Sequence, residues 1–282
     1  MEIRRITVLG AGTMGHGIAH AAIAAGYETR MYDVSDAAVE QGRAAIERIG
    51  RKGVELGKVT AADADAMLGR LTATTSLGRA LEGADFVIEA APERIELKLQ
   101  LFADVQRFAP PGAVVATNTS ALSVTEMAGS MAMPSRVAGM HFFNPVHKMK
   151  LVEIVQALES APETLQAVEE VAKRMGKETV LVRESPGFIT TRVNATIGNE
   201  AFYMLMEGVA SARDIDKALK LGLNHPMGPF ELVDLVGLDT RLSILEYLHR
   251  SMGEKYRPCP LLAQYVKAGR LGRKVGRGVY EY

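Results

Sequence analysis

Gly10-Ala11-Gly12-Thr13-Met14-Gly15 sets three glycines in the spacing Gly-x-Gly-x-x-Gly, directly after the apolar run Ile6-Thr7-Val8-Leu9. The chemistry this spacing serves is pyrophosphate binding. Gly10 permits a tight turn, Gly12 admits a phosphate against the backbone, and Gly15 lets a helix pack closely on a strand. The N–H groups of Thr13, Met14 and Gly15 at that helix start then face the anion with a partial positive charge. Asp33 ends the next strand-like run, 33 − 10 = 23 residues after Gly10. A carboxylate there accepts from a ribose 2′-hydroxyl and repels a 2′-phosphate, so NAD is expected over NADP.

A second set of residues suits proton transfer. His141 follows the apolar run that starts at Val137, and an imidazole moves a proton in either direction near neutral pH. Oxidation of a secondary alcohol needs such a group to take the hydroxyl proton as hydride leaves carbon. On position alone, a lone histidine is about as often structural. Glu153, 153 − 141 = 12 residues later, could return to orient the ring and stabilise the imidazolium. Ser120 follows Ala113–Thr117 with Asn118 and Thr119, and its hydroxyl could bond a substrate oxygen or simply cap a helix.

To bring these residues together the chain needs strands that end side by side. Short apolar runs at Ile6–Leu9, Glu28–Tyr32, Phe86–Ile88, Ala113–Thr117, Val137–Met140, Leu151–Val155 and Thr179–Val182 alternate with helical stretches. Among these, Thr13–Ala25 is small and apolar. Asp36 starts a helix to about Ile49, and Leu97, Leu101 and Val105 share one face of Glu93–Phe108. The alternation predicts an α/β fold: a doubly wound, mainly parallel sheet with helices on both faces. In such sheets ligands gather beyond the carboxyl ends of the strands, where the glycines, Asp33, Glu89, Glu93, Asn118, Ser120 and His141 all fall. Beyond Ser185-Pro186-Gly187 the pattern turns helical, over about Phe188–Glu207, Ser211–Leu219, Pro229–Arg250 and Pro260–Lys267. The expected domains are 1–185 and 186–282. The stretch Arg48–Asp65 reads as an exposed helical arm or a loop.

Composition excludes several classes. Lys plus Arg equals Asp plus Glu, 33 each among 282 residues, so the broad positive field of a nucleic-acid binder is missing. Cys259 is the sole cysteine, which rules out an internal disulfide and a cysteine-based zinc site. His16 and His20 are four apart, but the intervening Gly17-Ile18-Ala19 lacks the glutamate of a helical metalloprotease motif, and no metal is expected. No apolar run reaches the roughly 18 residues of a membrane span. The first residues enter a strand without a secretion signal, and a cytoplasmic protein is expected. The basic tail Arg270, Arg273, Lys274, Arg277 reads as a solvated loop. Lys52 and Lys58 could meet an anionic substrate tail.

Taken together these residues resemble the 3-hydroxyacyl-CoA dehydrogenase family, in its stand-alone 3-hydroxybutyryl-CoA form. The resemblance covers essentially the whole chain. It rests on Gly10–Gly15, Val87-Ile88-Glu89-Ala90, Asn118-Thr119-Ser120 and His141-Phe142-Phe143-Asn144-Pro145, and continues through Pro186-Gly187-Phe188, Pro226-Met227-Gly228-Pro229 and Gly237-Leu238-Asp239. It implies a Rossmann-type domain, a helical domain supplying much of a homodimer interface, and NAD-linked oxidation of an (S)-3-hydroxyacyl-CoA of fatty-acid metabolism. By that resemblance His141 is the general base and Glu153 its partner. Ser120 binds the substrate oxygen, Asn144 helps to set the histidine, and Glu93 and Lys98 line the nicotinamide end. Where the family usually has Asn beside Arg, Thr191 precedes Arg192. A hydroxyl for an amide alters how a substrate carbonyl is held.

Two other readings stand beside this one. A gulonate-type hydroxy-acid dehydrogenase would share the His-Asn-Pro block. The lysine-shuttle dehydrogenases fit worse, because Asn194 is followed three places on by Ile197 and not by a lysine. A non-catalytic dinucleotide-binding protein on the same fold would not need His141, Glu153 and Ser120 at the strand ends together.

Overall fold

A computed structural model describes residues 2–282. It divides into two units, one running to Glu184 and the other Ser185–Tyr282.

In the first unit the elements run β1 (Arg5–Leu9), α1 (Thr13–Ala24), β2 (Glu28–Tyr32), α2 (Asp36–Glu55), α3 (Ala61–Leu68), β3 (Leu71–Thr74) and α4 (Leu77–Leu81). They continue as β4 (Phe86–Glu89), α5 (Ile95–Phe108), β5 (Val114–Thr117), α6 (Val124–Gly129), β6 (Val137–Phe142), β7 (Leu151–Gln156), α7 (Pro162–Arg174) and β8 (Glu178–Arg183). The strands form one eight-stranded sheet in the order β3-β2-β1-β4-β5-β6-β7-β8. Every neighbouring pair is parallel except β6 with β7. Strands β4, β5 and β6 are buried along their whole length, as a sheet covered on both faces requires. Ile6, Val8, Ile18, Ile23, Phe86 and Ile88 belong to its core.

Two glycines explain how the first turn is built. Gly10 has φ +110°, a backbone region that side chains disfavour, and a Cβ there would stand 2.6 Å from the Ala90 carbonyl oxygen. A Cβ on Gly15 would sit 1.8 Å from the Gly10 carbonyl oxygen, so α1 reaches the end of β1 only with glycine at that place.

The structure adds one strand, resolves one open stretch and changes one expectation. Strand β3 has a mixed burial pattern in only four residues, Leu-Thr-Ala-Thr, too short to signal itself. The stretch 48–65 holds the end of α2 and the start of α3, whose Thr60 and Asp63 form a capping box. The single helix expected over Pro229–Arg250 is two, because Gly237 takes φ +105° between them.

The second unit is helical: α8 (Thr190–Met206), α9 (Ala212–Gly222), α10 (Pro229–Val236), α11 (Leu238–Met252) and α12 (Pro260–Lys267). Its core gathers Phe202, Ile215, Phe230, Leu238, Leu245 and Leu248. Buried Asp216 caps α10, accepting from the Phe230 and Glu231 N–H groups at 2.8 and 3.2 Å. Asp234 accepts from the Val279 and Tyr280 N–H groups and so ties the chain end to α10. Among the described residues, no helix is long and apolar enough to cross a membrane.

Candidate active site

The antiparallel step between β6 and β7 sets His141 directly opposite Glu153. Glu153 Oε2 lies 2.7 Å from Nδ1 of the imidazole, and Ser120 Oγ lies 3.1 Å from Nε2. Glu153 is fully buried and His141 is 4% exposed. With Glu153 ionised, Nδ1 must carry the proton of the neutral ring, because a carboxylate only accepts. Nε2 then presents its lone pair toward Ser120, where a substrate hydroxyl can compete for it. Once Nε2 is protonated, the adjacent carboxylate offsets the desolvation of the imidazolium. The Phe143 ring packs beside it with centroids 4.6 Å apart.

Ser120 is delivered by the turn after β5. Asn118 stitches that turn to β6, its Oδ1 accepting from the Phe142 N–H at 2.8 Å. Glu93, just before α5, accepts through Oε1 from Thr119 Oγ1 at 2.6 Å and from the Ser120 and Ala121 N–H groups at 2.9 and 3.2 Å. Lys98, one turn into α5, is 1% exposed. Its Nζ lies 2.7 Å from Glu89 Oε1, 3.2 Å from the Ala91 carbonyl oxygen and 3.5 Å from Glu93 Oε2. Glu89, fully buried, also accepts from Thr117 Oγ1 at 2.6 Å and from the Ala91 N–H at 2.6 Å. The sequence set Glu89 at a strand end and Thr119 beside Ser120, but not the bonds from Glu89 to Lys98 and Thr117 or from Thr119 to Glu93. A glutamate at a strand end nine positions before a lysine on the next helix was the available signal.

The turn from β1 to α1 fits a dinucleotide. No side chain caps α1 at Gly12 and no acidic residue stands in its first turn, so its first N–H groups and positive pole are available to an anion. A Cβ on Gly12 would meet nothing within 4 Å, so the space above that backbone is open. Thr13 and Met14 begin α1 beside it. Asp33 follows β2, its Oδ2 accepting from the Ala11 N–H at 2.8 Å and its Oδ1 from the Val34 N–H at 2.8 Å. Each oxygen keeps a second lone pair for a ribose hydroxyl. Arg30 points elsewhere, donating to the Arg79 and Glu82 carbonyl oxygens at 2.6 Å each.

Four further expected residues follow β6, end or follow α2, or belong to the helical unit. Asn144 stands two residues past β6, joined to Pro145 by a cis peptide. Lys52 is on the last turns of α2 and pairs with Glu55 at 2.9 Å, while Lys58 is exposed in the loop beyond it. Thr191 is half-buried in the first turn of α8, in the helical unit. Among the described residues no group of three or more His, Cys, Asp or Glu side chains could hold a metal ion.

Comparison with known proteins agrees with this geometry. Residues 5–185 match the family model described as 3-hydroxyacyl-CoA dehydrogenase, NAD binding domain, and residues 187–282 match the C-terminal domain of the same family. The chain is 48% identical over 283 aligned positions to a probable 3-hydroxybutyryl-CoA dehydrogenase of Bacillus subtilis, covering 100% of this chain and 98% of the relative. It is 42% identical to the 3-hydroxybutyryl-CoA dehydrogenase of Bradyrhizobium diazoefficiens, over 99% and 96% of the two chains. The crystal structure of (S)-3-hydroxybutyryl-CoA dehydrogenase from Ralstonia eutropha superposes with a TM-score of 0.96 at 42% identity, covering 100% of this chain and 99% of that one. A dinucleotide turn, an acid at the end of β2, a histidine held between a carboxylate and a hydroxyl, and full-length matches to both family domains place this chain in the 3-hydroxyacyl-CoA dehydrogenase family, as an NAD-binding oxidoreductase.

Proposed function

We propose that the protein interconverts a short-chain (S)-3-hydroxyacyl-CoA, with 3-hydroxybutyryl-CoA foremost, and the 3-oxoacyl-CoA, with His141 as general acid and base. The observation that carries this reading is the line Glu153, His141, Ser120, with separations of 2.7 and 3.1 Å. Nε2 of His141 takes the proton from the substrate hydroxyl. Glu153 keeps the ring in the tautomer that leaves Nε2 free to accept, and balances the charge that then develops. Ser120 donates to the substrate oxygen, and Asn144 fixes the chain beside the histidine. NAD, when bound, supplies the hydride acceptor. Gly10, Gly12, Thr13, Met14 and Gly15 would hold its pyrophosphate and Asp33 its adenosine ribose, with Glu93, Lys98 and Asn118 toward the nicotinamide end. Thr191, Lys52 and Lys58 are assigned to the acyl-CoA. The names of the relatives quoted above support the C4 substrate.

Residues 1–185 serve the dinucleotide, and the helical residues 186–282 serve substrate and self-association. In that helical unit Val209, Leu221 and Leu223 are 63%, 77% and 66% exposed, an apolar display that a homodimer would cover. A cytoplasmic location belongs to the same reading.

The test is NADH consumption with 3-oxoacyl-CoA substrates of graded length, run beside gulonate oxidation. Fastest turnover with acetoacetyl-CoA is expected. Turnover with gulonate alone, or with no substrate of the panel, would reject the assignment.

A further inference from the structure

Past Asn118, the turn that carries Ser120 has no strand or helix partner for its N–H groups. It leaves β5 at Thr117 and does not enter α6 until Val124, and after the Asn118 N–H, which reaches the Glu89 carbonyl oxygen at 2.8 Å, the N–H groups of residues 119–122 turn to side-chain oxygens. The Thr117 and Thr119 hydroxyl oxygens accept from the Thr119 and Leu122 N–H groups at 3.3 and 3.0 Å, and one carboxylate oxygen gathers the middle of the turn. Glu93 Oε1 receives Thr119 Oγ1, the Ser120 N–H and the Ala121 N–H, three donors from three consecutive residues. Its other oxygen faces Lys98 at 3.5 Å. Hydrogen bonds to an ionised acceptor are shorter and stronger than neutral ones, and three on one atom leave the turn little freedom.

Lys98 does not need Glu93. Its ammonium is already neutralised by Glu89 at 2.7 Å and bonded to the Ala91 carbonyl oxygen. The Glu93 side chain is 41% exposed, so water can take its place without stranding a buried charge. What Glu93 adds is therefore a charged hold on the middle of the turn, and through it on the Ser120 hydroxyl 3.1 Å from His141 Nε2.

We propose that Glu93 is a positioning residue: its carboxylate, braced by Lys98, fixes the Thr119-Ser120-Ala121 turn so that the Ser120 hydroxyl stands at His141. This rests on the reading of His141 and Ser120 given above. It assigns Glu93 a task in the chemical step distinct from lining the cofactor.

A double-mutant cycle tests it. Glu93→Ala, Ser120→Ala and the pair are assayed with acetoacetyl-CoA, and NADH affinity is measured separately by calorimetry. At saturating NADH, Glu93→Ala is expected to lower kcat by about tenfold to a hundredfold, the scale of loss for a misplaced reacting group, over and above any loss of NADH affinity that its place toward the nicotinamide end brings. In the Ser120→Ala background the same change should cost less than about twofold, because the group it positions is gone. Glu93→Gln keeps an oxygen for the turn but turns an amide toward Lys98. It should fall between wild type and Glu93→Ala, and it carries the test if the alanine variant does not fold. Fully additive losses would overturn the proposal, as would weakened NADH binding with kcat unchanged. A crystal structure of Glu93→Ala gives a reading independent of turnover. Displacement of Ser120 Oγ from His141 supports the proposal and an unmoved Ser120 refutes it. If the wild-type enzyme itself is inactive on 3-oxoacyl-CoAs, the functional reading fails, and the crystallographic result still decides the role of Glu93.

Discussion

At the scale of single residues, His141 has two nitrogens with different duties. Nδ1 faces a buried carboxylate and Nε2 faces the Ser120 hydroxyl. His141→Gln removes the base without changing the dinucleotide turn, so NADH affinity should stay near wild type while kcat falls by about 10²- to 10⁴-fold in stopped-flow turnover. Glu153→Gln fills the same space but can present an amide N–H to Nδ1. That favours the tautomer with Nε2 protonated, and kcat should fall by about 10²-fold or more with little change in KM. Arg241 poses a different residue-scale problem. It is 3% exposed in α11, its buried Nε finds no hydrogen-bond partner among the described residues, and burial alone pushes its guanidinium down to about 10. Desolvating a cation with an unmet donor is costly, while its methylene stem still packs. Arg241→Met should therefore raise the melting temperature, by about 2–4 °C for each kcal/mol regained.

At the scale of elements, the site depends on how closely α1 approaches the end of β1. Gly15→Ala would put a methyl carbon 1.8 Å from the Gly10 carbonyl oxygen, and only a backbone shift can relieve that contact. The shift withdraws the α1 amides from the phosphates. NADH affinity should fall about tenfold or more by calorimetry, and stability by about 1–3 kcal/mol in a urea melt, the usual cost of overpacking. The pairing of β6 with β7 matters as much. Had β7 run parallel to β6, as β5 does, Glu153 would not face His141 in the register seen.

At the scale of the whole molecule, pH acts through a histidine outside the Glu153, His141, Ser120 line. His20 on α1 is pushed down to about 4, first by burial and then by the nearby charges of His147, His16 and Lys177. In the unfolded chain an imidazole titrates near 6.5. Between those values the unfolded state binds a proton that the folded state refuses, so stability falls as pH drops from about 6.5 to 4 and levels off below. His147 and His16 are lowered too, mainly by burial, and act in the same direction. His20→Gln should flatten the dependence of melting temperature on pH between about 6.5 and 4.5, as read by calorimetry. Self-association is tested at this scale as well. Replacing Leu221 and Leu223 together by lysine should weaken dimerisation by at least about tenfold in sedimentation, with the isolated fold unharmed, because both side chains already face solvent within one chain.

The order of types along the chain was enough to locate the dinucleotide turn, the acid after β2, and the strand ends where His141 and Ser120 fall. Each of these follows from local physics: glycine conformational freedom, apolar runs bounded by breakers, and the rule that parallel strands open their carboxyl ends to ligands. Strand β3 and the break at Gly237 were not legible, since four residues of mixed burial carry no period and a single glycine inside a helical pattern is ambiguous. Nor could a one-dimensional pattern show that β7 reverses, that Glu89 receives Lys98 in the interior, or that one oxygen of Glu93 gathers three consecutive donors. Those are facts of distance between groups far apart in the chain. Only folding, which decides which buried polar groups must meet because water is gone, could settle them.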